Sequence, residues 1–197
     1  MGRKKNYDRD ELLEKAMEIF RDHGFAGTST QMLVDGLGVN RFSLYKEFAN
    51  KQALFEKTLE RYNSVVVERN FGPLEAKDAR MEEIRLLLDF FASASRGAAS
   101  GRGCLLCNTA VEFGPTDPGG SQFVLRYFTR ITKAFYNALT NANNKGELRD
   151  SVSLKEEADF FTATTLGLFV MIRAKAPPKV IENAAKMAIA HLEELCV

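Results

Sequence analysis

Two short stretches of this chain carry residues whose types and spacing could do chemistry. The first is GRGCLLCNTAVEF, residues 101–113. Cys104 and Cys107 stand three apart, on one face of a helix that would begin just after a glycine-rich break. A helix N-terminus and a nearby cation, here Arg102, lower a thiol pKa and favour the nucleophilic thiolate. On that reading, oxidation or electrophilic modification of Cys104 repacks the helix and switches the protein. The alternative is that both cysteines are small buried hydrophobes, the commonest fate of a free cysteine. Zinc is poorly served, because a C-x-x-C lacks two further ligands and no histidine lies near it. His23 and His191 are solitary and far apart. No metal and no cofactor is therefore expected. Nor is an enzyme: Cys104 is the one plausible nucleophile, and no His or Asp is obviously placed to activate it.

The second stretch is GVNRFSLYKEF, residues 38–48. Successive residues on a helix turn by roughly 100°. Leu44 and Phe48 then share one face, while Phe42, Tyr45 and Lys46 point largely the other way. A short helix that holds an aromatic pair and a cation toward solvent suits a docking surface. Segment 28–48 joins two short helices through Leu37-Gly38-Val39. That is the layout of a helix-turn-helix, whose second helix enters the major groove of DNA. Leu44 and Phe48 would anchor it to Leu33, Val34 and the first helix. Arg41, in the first turn, suits a bidentate bond to guanine, and Phe42 can touch a thymine methyl. Ser43 and Tyr45 can donate to phosphates, and Lys51, opening the next helix, can reach the DNA backbone. Thr30 and Gln31 begin the helix that crosses that backbone, where a helix N-terminus attracts phosphate. Arg3, Lys4 and Lys5 form a basic arm suited to a minor groove.

The elements that position these residues are helical almost throughout. A stripe of Leu12, Leu13, Ala16, Met17 and Phe20 ends at Gly24, which suits a C′ position. Thr28 and Gln31 have capping-box spacing for a second helix. Asn50 can cap a fourth, with Leu54, Phe55, Thr58, Leu59, Tyr62 and Val66 on its inner side and FGP (71–73) as its end. Further helices follow around Ile84–Phe91, after the break SRGAASGRG (95–103), from about 121 to 142, from about 154 to 175, and from the PP pair to about 195. No period-two run makes a convincing strand. The fold expected is all-α, about nine helices: residues 1–50 as a three-helix unit with the helix-turn-helix, and 51–197 as a helical bundle.

The bulk numbers fit that picture. With 197 residues, 45% hydrophobic and 27% charged, the chain has an ordinary globular composition. A net charge of +1 does not announce a nucleic-acid binder, although a local patch can hide inside such a sum. The N-terminus has no apolar core of a targeting signal. The apolar run LGLFVMI (166–172) is too short to span a bilayer, so no membrane partner and a cytoplasmic location are expected. Three cysteines do not suggest a disulfide framework.

Taken together, the stripe before Gly24, FRDHGFAGTS (20–29), QMLVDGLGV (31–39) and NRFSLYKEFANKQALF (40–55) resemble the TetR family of bacterial transcriptional regulators. The matching positions are Gly38-Val39, Arg41, Ser43, Leu44-Tyr45, Phe48 and Lys51. Two departures stand out: Phe42 replaces a usual small residue, and Glu47 replaces a frequent phosphate-contacting histidine. A carboxylate cannot donate to phosphate, so that role is not carried over. The GCL segment at 103–105 also resembles a subgroup in which some members sense electrophiles or oxidants through such a cysteine. The resemblance implies a ligand-responsive DNA-binding regulator, most often a repressor. It implies a homodimer formed through the last two helices, a pseudopalindromic operator, and a small-molecule effector bound in the larger domain. Ala184, Ala185 and Ala188 would permit close helix approach there. Phe90, Phe91, Phe113, Phe123, Phe128, Phe135, Phe161 and Phe169 are candidates to line the pocket, weakly favouring an uncharged apolar or aromatic ligand; Phe113, Phe128 and Phe169, with Cys104 and Cys107, are the ones singled out. The alternative is a helical ligand-binding or redox module without specific DNA binding.

Overall fold

The computed structural model describes residues 7–97, 100–113 and 118–197. Its elements are α1 (Arg9–His23), α2 (Thr30–Leu37), α3 (Arg41–Phe48), α4 (Lys51–Tyr62), a π turn (Asn63–Val67), α5 (Glu68–Glu75), α6 (Met81–Ala94), α7 (Leu105–Phe113), α8 (Pro118–Asn144), α9 (Leu154–Arg173) and α10 (Pro178–Glu194). Because the π turn joins α4 to α5 without a break, the described residues form nine helical rods. The one β pairing among them is an isolated bridge between Leu148 and Cys196. The basic arm Arg3-Lys4-Lys5 lies outside the described residues.

Helix ends follow local chemistry. Asp8 accepts from the Asp10 and Glu11 amides and caps α1, which stops at Gly24 with φ 72°. For α2 the cap is Ser29, whose hydroxyl accepts from Met32 N at 3.1 Å. The expected capping residue, Thr28, is fully buried and donates backwards to Gly24 O at 2.5 Å, so the helix starts one position later than the capping-box spacing suggests. Asn40 and Asn50 cap α3 and α4, each accepting a backbone amide at 2.8 Å.

The rod α4–α5 does not end at FGP, as its composition suggests. It runs through Pro73 to Glu75, because Phe71 and Leu74 are both 1% exposed and Asn137 of α8 donates to the terminal carbonyls of Leu74 and Ala76. Its buried positions are Leu54, Phe55, Thr58, Leu59, Tyr62, then Val67, Phe71 and Leu74. The step from 62 to 67 is five residues rather than three or four. The π turn absorbs that offset and keeps one face inward across the whole rod. Val67 thus takes the fully buried place that the helical period assigns to Val66, which is only half-buried.

Helices α1 to α3 and the first half of α4 form the head. Leu12, Leu13, Ala16, Phe20, Leu33, Leu44 and Phe48 are buried together there. The rest is a bundle in which α8 packs on α5, α7 and α9, and α10 packs on α6. The α8 core stripe, from Val124 and Tyr127 through Ile131, Ala134, Phe135, Ala138 and Leu139 to Ala142, has the period of one buried helix face.

Candidate nucleic-acid interface and effector cavity

The turn between α2 and α3 is tight because Gly38 takes φ 66° and returns its N–H to Val34 O. A left-handed residue is needed there, and glycine adopts it without steric cost. Leu44 and Phe48 are 0% and 4% exposed and fix α3 on the head. The Thr30 and Tyr45 hydroxyls meet at 2.7 Å and join the N-terminus of α2 to the middle of α3.

The outward side of α3 then carries Arg41, Phe42 and Lys46, all exposed, with Phe42 at 79%. Arg41 stacks over the Tyr45 ring at 5.8 Å. Tyr45 and Ser43 are half-buried rather than fully outward. Tyr45 packs on the core through its ring while its hydroxyl sits beside Thr30. Gln31 is exposed, with its amide on Asp35 at 2.8 Å. Thr30, Gln31, Arg41, Phe42, Ser43, Tyr45 and Lys46 thus share one face built by α2 and α3.

Lys51 departs from this face. Its ammonium donates to the carbonyls of Phe25 and Thr28, both at 2.8 Å, and lies 4.2 Å from the Phe25 ring centroid. Two of its three protons bind the α1–α2 turn, so the geometry makes it a brace of the head rather than a hand free for phosphate. Glu47 is spent internally too, paired with Arg9 at 3.2 Å.

The head is held on the bundle by a polar clamp. Arg173 of α9 donates to Arg21 O, Asp22 O and Gly101 O, placing a cation at the C-terminal end of α1, where the helix dipole favours it. Glu112 of α7 accepts from Phe25 N and Ala26 N. Arg21 of α1 gives two bonds to Gly103 O, at 3.0 and 2.7 Å, and Arg102 pairs with Asp22 and Glu18. Phe25, Phe55 and Phe113 pack together beneath.

Beside this clamp lies a cavity of about 390 Å³, walled by α1, the α4–α5 rod, α6, α9 and the Arg102-Gly103 pair. Phe90, Phe91 and Phe169 line it, with Tyr62, Val66 and Ile172. The other singled-out candidates are elsewhere. Phe113 belongs to the head-to-bundle aromatic cluster, and Phe128 packs beside Tyr127. Phe135 and Phe161 stack on each other between α8 and α9. The wall's cations, Arg21, Arg69 and Arg102, escape sequence analysis, since nothing in their spacing joins them.

The cysteine pair is buried. Cys104 is 1% exposed and Cys107 4%. Burial pushes the Cys104 thiol above its ordinary value, and burial pushes Cys107 up to about 12. The Cys104 thiol donates to the Tyr127 hydroxyl at 3.1 Å, and the Tyr62 hydroxyl stands close to it. Arg102, expected to lower its pKa, is turned away to Asp22 and Glu18. Neither thiol lies in the cavity wall. His191 is not solitary: its Nε2 meets Glu157 at 2.7 Å. Among the described residues no cluster of His, Cys, Asp or Glu suits a metal ion, and no helix is long and apolar enough to cross a membrane.

A second surface is apolar and open. Phe160, Ala163, Gly167 and Val170 form the exposed side of α9, beside Val180 and Met187 of α10. Ala185 and Ala188 face the other way, fully packed inside the same chain. They allow α10 to approach α6 rather than a partner, while Ala184 is half-buried.

Known proteins share this sequence pattern and this fold. Residues 12–58 match the family model of bacterial regulatory proteins of the tetR family, and residues 81–188 match that of the tetracyclin repressor-like C-terminal domain. An uncharacterised HTH-type transcriptional regulator of Bacillus subtilis, YezE, is 29% identical over 98% of this chain and 100% of its own length. The HTH-type transcriptional repressor ComR of Escherichia coli is 27% identical over 89% of this chain and 84% of its own. In structure, a cysteine-substituted form of the regulator CifR, solved with 26-base-pair operator DNA, superimposes with a TM-score of 0.84 at 22% identity, covering 95% of this chain and 98% of that one.

Proposed function

This chain belongs to the TetR family of DNA-binding transcriptional regulators, and on that premise we propose that it is a homodimeric repressor, released from a pseudopalindromic operator by a small molecule. The observation that carries the proposal is the outward face of α3. Eight residues after a glycine turn bury Leu44 and Phe48 and leave Arg41, Phe42 and Lys46 facing solvent. A convex helix face with a guanidinium in its first turn fits a major groove. Relatives named as transcriptional repressors, ComR among them, support the sign of regulation.

Thr30 and Gln31 of α2, with Ser43 and Tyr45 of α3 itself, border that face toward the phosphates. Phe42, where a small residue is usual, sets a base preference of its own. Two heads are needed to read a pseudopalindrome, and the open strip on α9 and α10 supplies the dimer contact. With Phe160 and Val170 apolar and Ala163 and Gly167 small, two copies of α9 can approach closely. Residues 1–50 carry the reading helices and 51–197 the responding bundle, and α4, which opens the second unit, packs its first half into the head's core. The effector cavity lies where the two meet, against the clamp on α1. A ligand acts there by differential affinity for two seatings of the head.

The test is a gel-shift titration of the full chain on DNA flanking its own gene, with excess non-specific competitor. A sequence-specific shift supports the proposal. Its absence there, followed by an empty selection from random-sequence DNA, overturns it.

A further inference from the structure

The wall of the cavity has an unbalanced charge. Among the described residues it contains three guanidinium side chains, Arg21, Arg69 and Arg102, from three different segments, and no carboxylate. Arg102 is neutralised by Asp22 and Glu18. Arg21 gives its two hydrogen bonds to Gly103 O, a neutral acceptor. Arg69 is exposed and makes no hydrogen bond or ion pair with any described residue. Arg21 and Arg69 therefore face an aromatic wall without an ion-pair partner among the described residues, although both also border the adjoining groove that holds Glu14 and Glu18. That wall includes Phe90, which keeps 45% of its surface exposed although Phe91 stacks edge-on against it and Phe169 against Phe91. Guanidinium groups recognise planar carboxylates by paired hydrogen bonds. An aromatic body covering Phe90 would remove apolar surface from water at the same time.

We propose that the cavity takes a compact organic anion, an aromatic ring system bearing a carboxylate, with the carboxylate on Arg69 and Arg21 and the ring against Phe90, Phe91 and Phe169. The sequence alone favours an uncharged apolar ligand; the structure adds the anion. The inference rests on the reading of the chain as an effector-responsive regulator and names the class of that effector.

The same geometry gives the ligand a route to the head. Arg21 belongs to α1, and its bond to Gly103 O is part of the clamp that seats α1 on the bundle. A carboxylate that draws Arg21 from Gly103 loosens segment 101–104, whose Gly101 carbonyl is shared with Arg173 at the end of α1. Val66 of the π turn stands in the same wall, so the rod that connects head to bundle touches the ligand at its irregular turn. An uncharged analogue of the same shape fills the cavity without taking Arg21 from the clamp.

Calorimetric titration of the full chain with naphthalene carboxylate, and with its neutral carboxamide, tests this without DNA. The carboxylate is expected to bind roughly tenfold or more tighter than the amide, the size of one lost charge-assisted hydrogen-bond pair. Arg69→Gln should remove that difference while leaving the melting temperature unchanged, since Arg69 holds nothing in the fold. Arg69→Lys should restore part of it. Equal binding of acid and amide, no binding of either, or an acid preference untouched by Arg69→Gln overturns the proposal. Because the titration contains no DNA, its failure leaves operator recognition standing. A failed operator selection likewise leaves the binding curve as it is.

Discussion

The outward face of α3 and the start of α7, where Cys104 stands just before the first helical residue, are the two places where spacing alone groups reactive side chains at a short helix. They end in opposite environments. On α3, Leu44 and Phe48 bury one side against α1, α2 and α4, while Arg41, Phe42 and Lys46 on the other stay exposed. On α7, packing closes from every side: Tyr62 from α4, Tyr127 from α8 and the Leu166 carbonyl from α9 surround Cys104 and Cys107. The spacing of reactive residues says which share a helix face. Whether that face meets water depends on how many other elements pack over it, and that is settled far away in sequence.

The largest expected effect is on assembly. The α3 face reads a two-fold site only if two copies are held together. Gly167 lies on the open strip of α9, and a Cβ there meets nothing within 4 Å. Gly167→Glu should therefore leave the protomer folded but place two carboxylates in the dimer contact. Sedimentation should show a monomer, and operator affinity should fall toward the non-specific level, by at least ~10³-fold. A dimer that survives removes α9 from the interface.

Within the head, Arg41 and Lys51 are both basic, but only one faces outward. Lys51→Met should cost about 1–3 kcal/mol of stability in urea denaturation, from the carbonyls of Phe25 and Thr28 left without their donor. It should leave the salt dependence of DNA binding unchanged. Arg41→Ala should do the reverse: stability within about 0.5 kcal/mol of the parent, and a loss of about 1–3 kcal/mol in specific binding at one base-pair position. Exchange of these two outcomes would mean that the side chains have been assigned to the wrong roles.

The smallest effect concerns the thiols. Cys104 and Cys107 should react slowly with alkylating reagents in the native protein at neutral pH, and rapidly once it is unfolded. Both thiols are held neutral by burial, while in the unfolded chain they ionise near the ordinary value of 9.0. Their contribution to stability is complete below that value. It is lost as pH climbs from there through the folded value, about 12 for Cys107. A pH series of denaturation curves should show that alkaline decline, reduced in Cys107→Ala after allowance for its lost packing. Rapid native alkylation of Cys104 would restore the thiol-switch reading that its burial now opposes.

Much of this was legible in the sequence for a physical reason. Helix periodicity and caps are local, so the stripe Leu12 to Phe20, the Gly38 turn and the Asn40 and Asn50 caps can be read residue by residue. So can the division of α3 into Leu44 and Phe48 inside and Phe42 and Lys46 outside. What escaped is non-local. The π turn appears only when Val67, Phe71 and Leu74 are seen to need a five-residue step after Tyr62, and Pro73 is carried inside a helix because α8 supports its end. The hydroxyl of Thr28 could cap α2 by spacing but is used by Gly24. The inward turn of Lys51 depends on the carbonyls of a loop more than twenty residues earlier. The cavity depends on five elements at once, and its three arginines share no motif.

Paired reading of DNA by the exposed face of α3 would show in the sequences that the protein selects. The most direct measurement is selection of bound sequences from a random DNA pool by the full-length protein, repeated with Arg41→Ala. The account predicts enrichment of an inverted repeat whose half-sites lie about one helical turn, roughly 34–36 Å, apart or a multiple of it, with one base-pair position in each half relaxed by Arg41→Ala. Enrichment of no sequence, or of one indifferent to Arg41, would contradict it.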